Sequence, residues 1–311
     1  MKKIEFVYPN LSKKAITFTI DDGNMLTDKI FKDILEPYGF KGTFNLCSHS
    51  HTSLDRSVYR EFYKGYDIAN HCKYHPGVFK DNEPRKEISL EPFDKNTSDT
   101  SYIYPTEFDS ELYHISDRNG QRWGKITSAE HYVELVDAGK AELEEIFARD
   151  NIRDFVWPGG QQKSAYVEKY LTARYRSVRK ASATRDTTNF DFPEDLHHWS
   201  YNATHADLIE VMEKFESYPD DNKLKLYALG VHSADFEKFE KWDDLRQFAR
   251  RFGNRQSEFW YASVSDIFDY ALAMKSLKIS GTEITNPSDI TLFIKVDGRV
   301  LEITANETVA I

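Results

Sequence analysis

Short apolar, β-branched runs recur along the chain, separated by stretches whose apolar residues repeat with helical spacing. The first run, Ala15-Ile16-Thr17-Phe18-Thr19-Ile20, ends at Asp21-Asp22-Gly23. A helical segment from about Thr27 to Tyr38 follows and is closed by Gly39. Gly42-Thr43-Phe44-Asn45-Leu46 and Tyr66-Asp67-Ile68-Ala69-Asn70 are the next strand candidates, the second ending at His71. Thr127 to Arg149 has helical periodicity, with Ser128 as its N-cap. Asp154-Phe155-Val156-Trp157 ends at Pro158-Gly159-Gly160, and Tyr175-Arg176-Ser177-Val178-Arg179 comes after the helix Ser164–Ala173. Leu224–Val231 ends at His232, and Glu258–Ala262 precedes the last helix, Val264–Met274. Seven strands alternating with helices predict a parallel sheet with crossover helices. Continuous apolar runs are what strands buried on both faces require. A closed or nearly closed α/β barrel fits the count.

Two segments break the rhythm. Gly77 to Ile126 is long, polar and irregular, with Tyr102, Tyr104, Tyr113 and Trp123 scattered through it. Its aromatic content favours an ordered insertion; it could restrict a cleft, shape a subsite or mediate dimerisation. Ser276 to Ile311 holds two alternating runs joined by Asp297-Gly298, a hairpin signal. The expected organisation is a barrel domain over 1–275, interrupted at 77–126, and a small β-rich extension over 276–311.

The charge balance narrows the partners. With 41 basic and 51 acidic residues the net charge is −10, which argues against nucleic acid or an anionic membrane surface. No run approaches the roughly 18 apolar residues of a membrane span. Met1 to Asn10 lacks an apolar core, so the chain reads as cytoplasmic unless a leader was removed. The two cysteines, Cys47 and Cys72, make no disulfide framework.

The candidate chemistry lies where the strands end. Asp21, Asp22, His71 and His232 each follow a strand C-terminus, the face at which parallel α/β barrels carry their active sites. His71 and His75 are four apart, which on a helical turn puts both imidazoles on one side. Two histidines and a carboxylate suit a catalytic zinc-type site with one position left for water. The residues between them, Cys72-Lys73-Tyr74, exclude an HExxH zincin. Within Asp21-Asp22 one carboxylate can serve the metal and the other accept a proton from water.

Thr19-Ile20-Asp21-Asp22-Gly23 and Asn70-His71-Cys72-Lys73-Tyr74-His75-Pro76 resemble the first two motifs of the polysaccharide deacetylases, carbohydrate esterase family 4, or NodB-homology domain. Phe155-Val156-Trp157-Pro158-Gly159-Gly160 looks like a variant of the third motif. Gly230-Val231-His232 resembles the fifth, and Phe259-Trp260-Tyr261-Ala262 the final strand. The resemblance implies a distorted (β/α)7 barrel of the NodB type. It implies that Asp22, His71 and His75 bind a divalent metal, commonly zinc, with cobalt or nickel able to substitute. Asp21 would be the general base and His232 the general acid. Trp157, Pro158 and Gly159 would lie on the substrate side, with a backbone N–H nearby for the oxyanion. The family's third motif often carries an Arg that orients the catalytic Asp. Here Arg179 could replace it, or be a surface arginine. The Asp partner of His232 has no clear position, Asp186 and Asp191 being the candidates. Cys72 reads as a small packed residue or an oxidisable thiol, and Trp157 as a sugar platform, a pocket wall or barrel packing. The expected activity is metal-dependent removal of N- or O-acetyl groups from an acetylated carbohydrate. The alternatives are a NodB-like hydrolase of a small cyclic amide and a non-catalytic, sugar-binding barrel.

Overall fold

The computed structural model describes residues 2–49, 56–79, 102–116, 122–159, 164–180 and 185–311. The chain divides into two compact units. One contains Met1–Phe44, Arg185–Glu194 and Ser200–Ile311, and the other Asn45–Thr184 and Asp195–Trp199.

The first unit is built on the strand Lys14–Asp22. It pairs in parallel with Lys225–Val231, from Lys14 opposite Lys225 to Ile20 opposite Val231, and over Lys14–Ile16 with Phe259–Tyr261. Its Ala15–Ile20 run is buried throughout, as the unbroken β-branched pattern requires. Phe18 packs against the rings of Phe31 (5.5 Å), Phe40 (5.3 Å) and Phe248 (6.4 Å). Phe31 and Phe248 come from the helices Met25–Leu35 and Trp242–Phe252. The second of these helices buries Leu245, Phe248, Ala249 and Phe252, an i, i+3, i+4, i+7 stripe on an otherwise charged segment. Asn24 caps the first, its side chain accepting from Thr27 N at 3.4 Å.

The C-terminal region also belongs to this unit. Leu292–Val296 and Arg299–Ile303 form the expected hairpin, closing with Val296 opposite Arg299. Asp297 (φ 46°) and Gly298 (φ 81°) both take the left-handed conformation of a type I′ turn. An N-terminal strand, Ile4–Phe6, pairs antiparallel with Leu292–Val296. Three residues are too few for an alternation to stand out, so the sequence pattern does not reveal this strand. The Tyr270 hydroxyl accepts from Phe293 N at 2.9 Å, tying the last helix to the hairpin. Lys278–Ser280, Glu283–Thr285 and Thr308–Ala310 make a second small antiparallel sheet.

The second unit holds the parallel strands Asp67–Asn70, Asp154–Val156 and Ser177–Arg179, with Asn70 and Val178 both opposite Phe155. Gly42–Leu46 spans the boundary between the units. All seven strands expected from the apolar runs are therefore present, each within two residues of its expected ends. The helix Ala129–Phe147 is capped by Ser128, whose side chain accepts from His131 N.

Part of the insertion is more regular than its sequence. Gly77–Val78, Arg122–Thr127, Leu112–Ser116 and Tyr102–Pro105 form one sheet in that order. Gly124, Pro105 and a register shift at Ile115/Ser116 interrupt the alternation, so the pattern reads as irregular although Leu112 and Ile115 are buried. Residues 80–101 and 117–121 lie outside the described residues. Among the described residues no helix is long and apolar enough to cross a membrane.

Candidate active site

The first unit brings Asp21, Asp22 and His232 to the ends of two neighbouring strands, because Ile20 and Val231 are paired. Asp22 and Gly23 both have φ of 77°, so the chain leaves the strand through two left-handed residues. A non-glycine residue held there is strained, and such strain gathers at functional sites. His232 Nε2 lies 3.8 Å from Asp22 Oδ2, and His232 Nδ1 donates to Asp235 Oδ2 at 3.1 Å. Partial burial alone would lower the His232 pKa. The charges of Asp21 and Asp22 and the hydrogen bond to Asp235 outweigh it and raise the pKa above the ordinary histidine value.

Asp235 is thus the carboxylate beside His232, and neither sequence candidate holds that place. Asp186 caps a turn, accepting from Thr188 N (2.8 Å) and Asn189 N (3.1 Å). Asp191 pairs with Lys225 (2.5 Å) and Lys223 (2.9 Å). Asp235 sits in the first turn of the helix Ser233–Lys238, three residues after the histidine. A carboxylate one helical turn beyond a strand-end histidine is the signal that would have found it. Behind this turn, Ser233 donates to the buried Asp28 and bonds Thr27 at 2.7 Å, fixing the turn to the helix Met25–Leu35.

The second unit holds the second-motif histidines, and they do not lie on a helical turn. His71 to His75 is a loop in which Cys72 (φ 65°) and His75 (φ 57°) are left-handed. That path still brings the two rings to 4.9 Å between centroids. His71 Nδ1 donates to the Val156 carbonyl at 2.8 Å. This contact places a hydrogen on Nδ1, the arrangement in which metal-binding imidazoles commonly present Nε2. Cys47 Sγ meets the His71 carbonyl at 3.1 Å.

The loop is braced from below. Asn70 donates to the Val136 carbonyl (2.9 Å) and to the Tyr175 hydroxyl (2.8 Å), and its Oδ1 accepts from Cys72 N (3.0 Å). Gly139, on the helix Ala129–Phe147, admits the loop. A Cβ there would sit 2.9 Å from Cys72 C and Lys73 N and 3.0 Å from Asn70 Oδ1. Nothing in the pattern around Gly139 distinguishes it from an ordinary helical glycine, so the sequence does not disclose this role.

The remaining expected site residues also fall in this unit. Arg179 is 1 % exposed, so the surface reading is excluded. Its strand sets it opposite Val156, and its carbonyl accepts from Trp157 N at 3.2 Å. Trp157 is 4 % exposed, in the apolar cluster with Cys72, Tyr132, Phe155 and Val178. Its indole meets the Tyr132 and Phe155 rings at 5.8 Å. Of the readings open for Trp157, barrel packing is the one these surroundings match; a sugar cannot stack on a ring enclosed in the core. Pro158 is buried, Gly159 is exposed at φ 61°, and Gly160 lies outside the described residues. Cys72 is a packed residue, and burial pushes its thiol up to about 12.

Within the second unit, His71 and His75 are imidazoles of the kind that hold divalent ions such as zinc, and within the first Asp21 and Asp22 are carboxylates of the same use. The family model described as "Polysaccharide deacetylase" matches residues 9–178, more than half of the chain, and the chain belongs to that family. His232 lies beyond the matched region. Comparison with curated proteins found no match. A structure from Mycobacterium smegmatis assigned as a polysaccharide deacetylase is 13% identical, covers 90% of this chain and 99% of its own, and has a TM-score of 0.50. At that identity the likeness shows the fold, the distorted (β/α) barrel. The Xyl-CE4 domain of a multidomain xylanase from the hindgut metagenome of Trinervitermes trinervoides is 16% identical over 84% of this chain and 92% of its own, with a TM-score of 0.46. A family 4 acetyl xylan esterase from Clostridium thermocellum, solved with a cobalt ion, is 12% identical over 82% and 91%, with a TM-score of 0.45.

Proposed function

We propose that this chain is a metal-dependent deacetylase that hydrolyses N- or O-acetyl groups of a carbohydrate. Asp22, His71 and His75 would hold the divalent ion, zinc first among the candidates and cobalt or nickel able to replace it. When bound, that ion supplies Lewis acidity, polarising the acetyl carbonyl and making water a stronger acid. The observation that carries the reading is the polysaccharide deacetylase family match over residues 9–178, which takes in Asp21, Asp22, His71 and His75, and the 2.8 Å His71–Val156 contact is compatible with it because it leaves Nε2 as the donor atom.

The chain's own groups divide the proton work. Asp21 accepts a proton from the attacking water as its oxygen bonds to the acetyl carbon. His232, protonated and held through Nδ1 by Asp235, gives the Nε2 proton to the departing nitrogen or oxygen as the acetyl C–N or C–O bond breaks. The products are acetate and the free amine or hydroxyl of the sugar. Arg179, one strand from the Asp154–Val156 run, takes the positioning role of the missing third-motif arginine.

Acetate release, with zinc or cobalt and with a chelated control, tests the reading on chitooligosaccharides, peptidoglycan fragments, acetylxylan and an aryl acetate. Metal-dependent release from a saccharide is expected. No release from any of them, with one ion bound, would move the assignment to a small-amide hydrolase or a sugar-binding barrel.

Asp235 gives the acid assignment its own test. A raised His232 pKa keeps the proton available further into the alkaline range. Asp235→Asn removes one of the stabilising charges, so the alkaline limb of kcat/KM should move to lower pH, by about half to one unit. An unmoved limb would show that His232 is not the acid, or that Asp235 does not govern it.

A further inference from the structure

The helix that carries Asp235 ends in an aromatic side chain that the chemistry above does not use. Phe239 is 48 % exposed. Its ring lies parallel to the imidazole of His205, with 4.9 Å between centroids and 3° between planes. His205 Nδ1 is in turn 3.6 Å from Asp235 Oδ2, the oxygen that accepts from His232. Stacked ring, imidazole, carboxylate and acid thus form one connected series within the first unit. Burial pulls the His205 pKa below its ordinary value, so at neutral pH Phe239 is backed by an uncharged aromatic surface.

The backbone holds Phe239 in place. Lys241 N donates to the Phe236 carbonyl at 2.7 Å, and Glu240 N to the Glu237 carbonyl at 3.2 Å. Those two bonds are the closing pair of a Schellman motif. Glu240 fills its left-handed position at φ 55°, where glycine is usual. Single exposed apolar residues are ordinary on protein surfaces. This one differs because its backbone is locked, one face is backed by a parallel ring, and it is linked to the proposed acid through His205 and Asp235.

We propose that Phe239, stacked on His205, is a platform for a saccharide unit next to the one that carries the acetyl group. This rests on the deacetylase reading and specifies its substrate as an oligomer. In that reaction the sugar is the leaving group, so the sugar lies on the His232 side. A pyranose has a flat C–H face and a rim of hydroxyls, which matches a half-exposed aromatic ring with a cation at hand. Lys238 Nζ lies over the ring, 5.0 Å from its centroid; its flexible stem can swing aside to admit a sugar and donate to hydroxyls.

The test measures binding in the full chain carrying Asp21→Asn, so that substrate is not consumed. Acetylated hexasaccharides of the chitin and xylan types, and the matching monosaccharides, are titrated calorimetrically against Phe239 and its Ala, Leu and Trp variants. The hexamer-to-monomer affinity ratio should fall about tenfold in Phe239→Ala and less in Phe239→Leu. Phe239→Trp should keep the ratio or raise it, since the size of the flat ring decides the effect. An unchanged ratio in Phe239→Ala, or no hexamer binding by any variant, overturns the platform. Acetate release by the unsubstituted chain is scored in parallel. Release without any dependence of binding on Phe239 removes the platform alone, whereas Phe239-dependent binding without release keeps the platform and removes the deacetylase reading.

Discussion

Asp21→Asn is expected to cut kcat by about two to four orders of magnitude while one divalent ion per chain stays bound. The substitution is nearly isosteric, and the site around it is held by other contacts. Asp21 is the penultimate residue of a strand whose register with Lys225–Val231 is fixed over seven consecutive pairs ending at Ile20. The neighbouring Asp22 keeps its left-handed backbone, and the second-motif loop is braced within its own unit. What disappears is the group that takes the proton from water. Metal content by elemental analysis, with single-turnover acetate release, separates the two effects. A variant that keeps most of its activity with metal bound would remove Asp21 as the base. A variant that loses the metal would make Asp21 a ligand instead.

His71→Ala should remove the ion itself, and activity with it. The side chain is buried, and its Nδ1 is committed to the Val156 carbonyl. Alanine deletes both the donor nitrogen and the contact that orients it. Ligand-linked stability gives a readout independent of turnover. An ion that binds only the folded chain stabilises it by about 2.7 kcal/mol at a hundredfold excess over its Kd. Zinc should therefore raise the melting temperature of the unsubstituted chain and leave that of His71→Ala almost unchanged. Equal zinc-induced shifts in both proteins would show that His71 is not a ligand.

These two substitutions address residues that are legible in the sequence, since each follows an apolar run that could only be a strand. The seven strands were visible because each is buried on both faces and so reads as an uninterrupted run. What stayed hidden depends on contacts between distant positions. Gly139 matters because a loop 66–69 residues earlier packs on its Cα, and no local pattern records that. The His71–His75 spacing suggested a helical turn, but two left-handed residues do the same work. Asp235 is not legible as the partner of His232 because an acidic residue in the first turn of a helix is ordinary on account of the helix dipole alone. The strands Leu112–Ser116 and Arg122–Thr127 were obscured by a glycine and a bulge.

The pairing of Lys14–Asp22 also bears on how the chain is made. Two partners of this strand, Lys225–Val231 and Phe259–Tyr261, lie more than 200 residues downstream. Ile4–Phe6 pairs still later, with Leu292–Val296. During synthesis the earliest apolar segments emerge long before these partners exist. Ladders of such sequence separation form slowly, because a long loop must close before any contact compensates. Through most of translation the strand that carries Asp21 and Asp22 therefore has an unsatisfied edge toward its Lys225–Val231 partner, open to chaperones or to aggregation with other nascent chains.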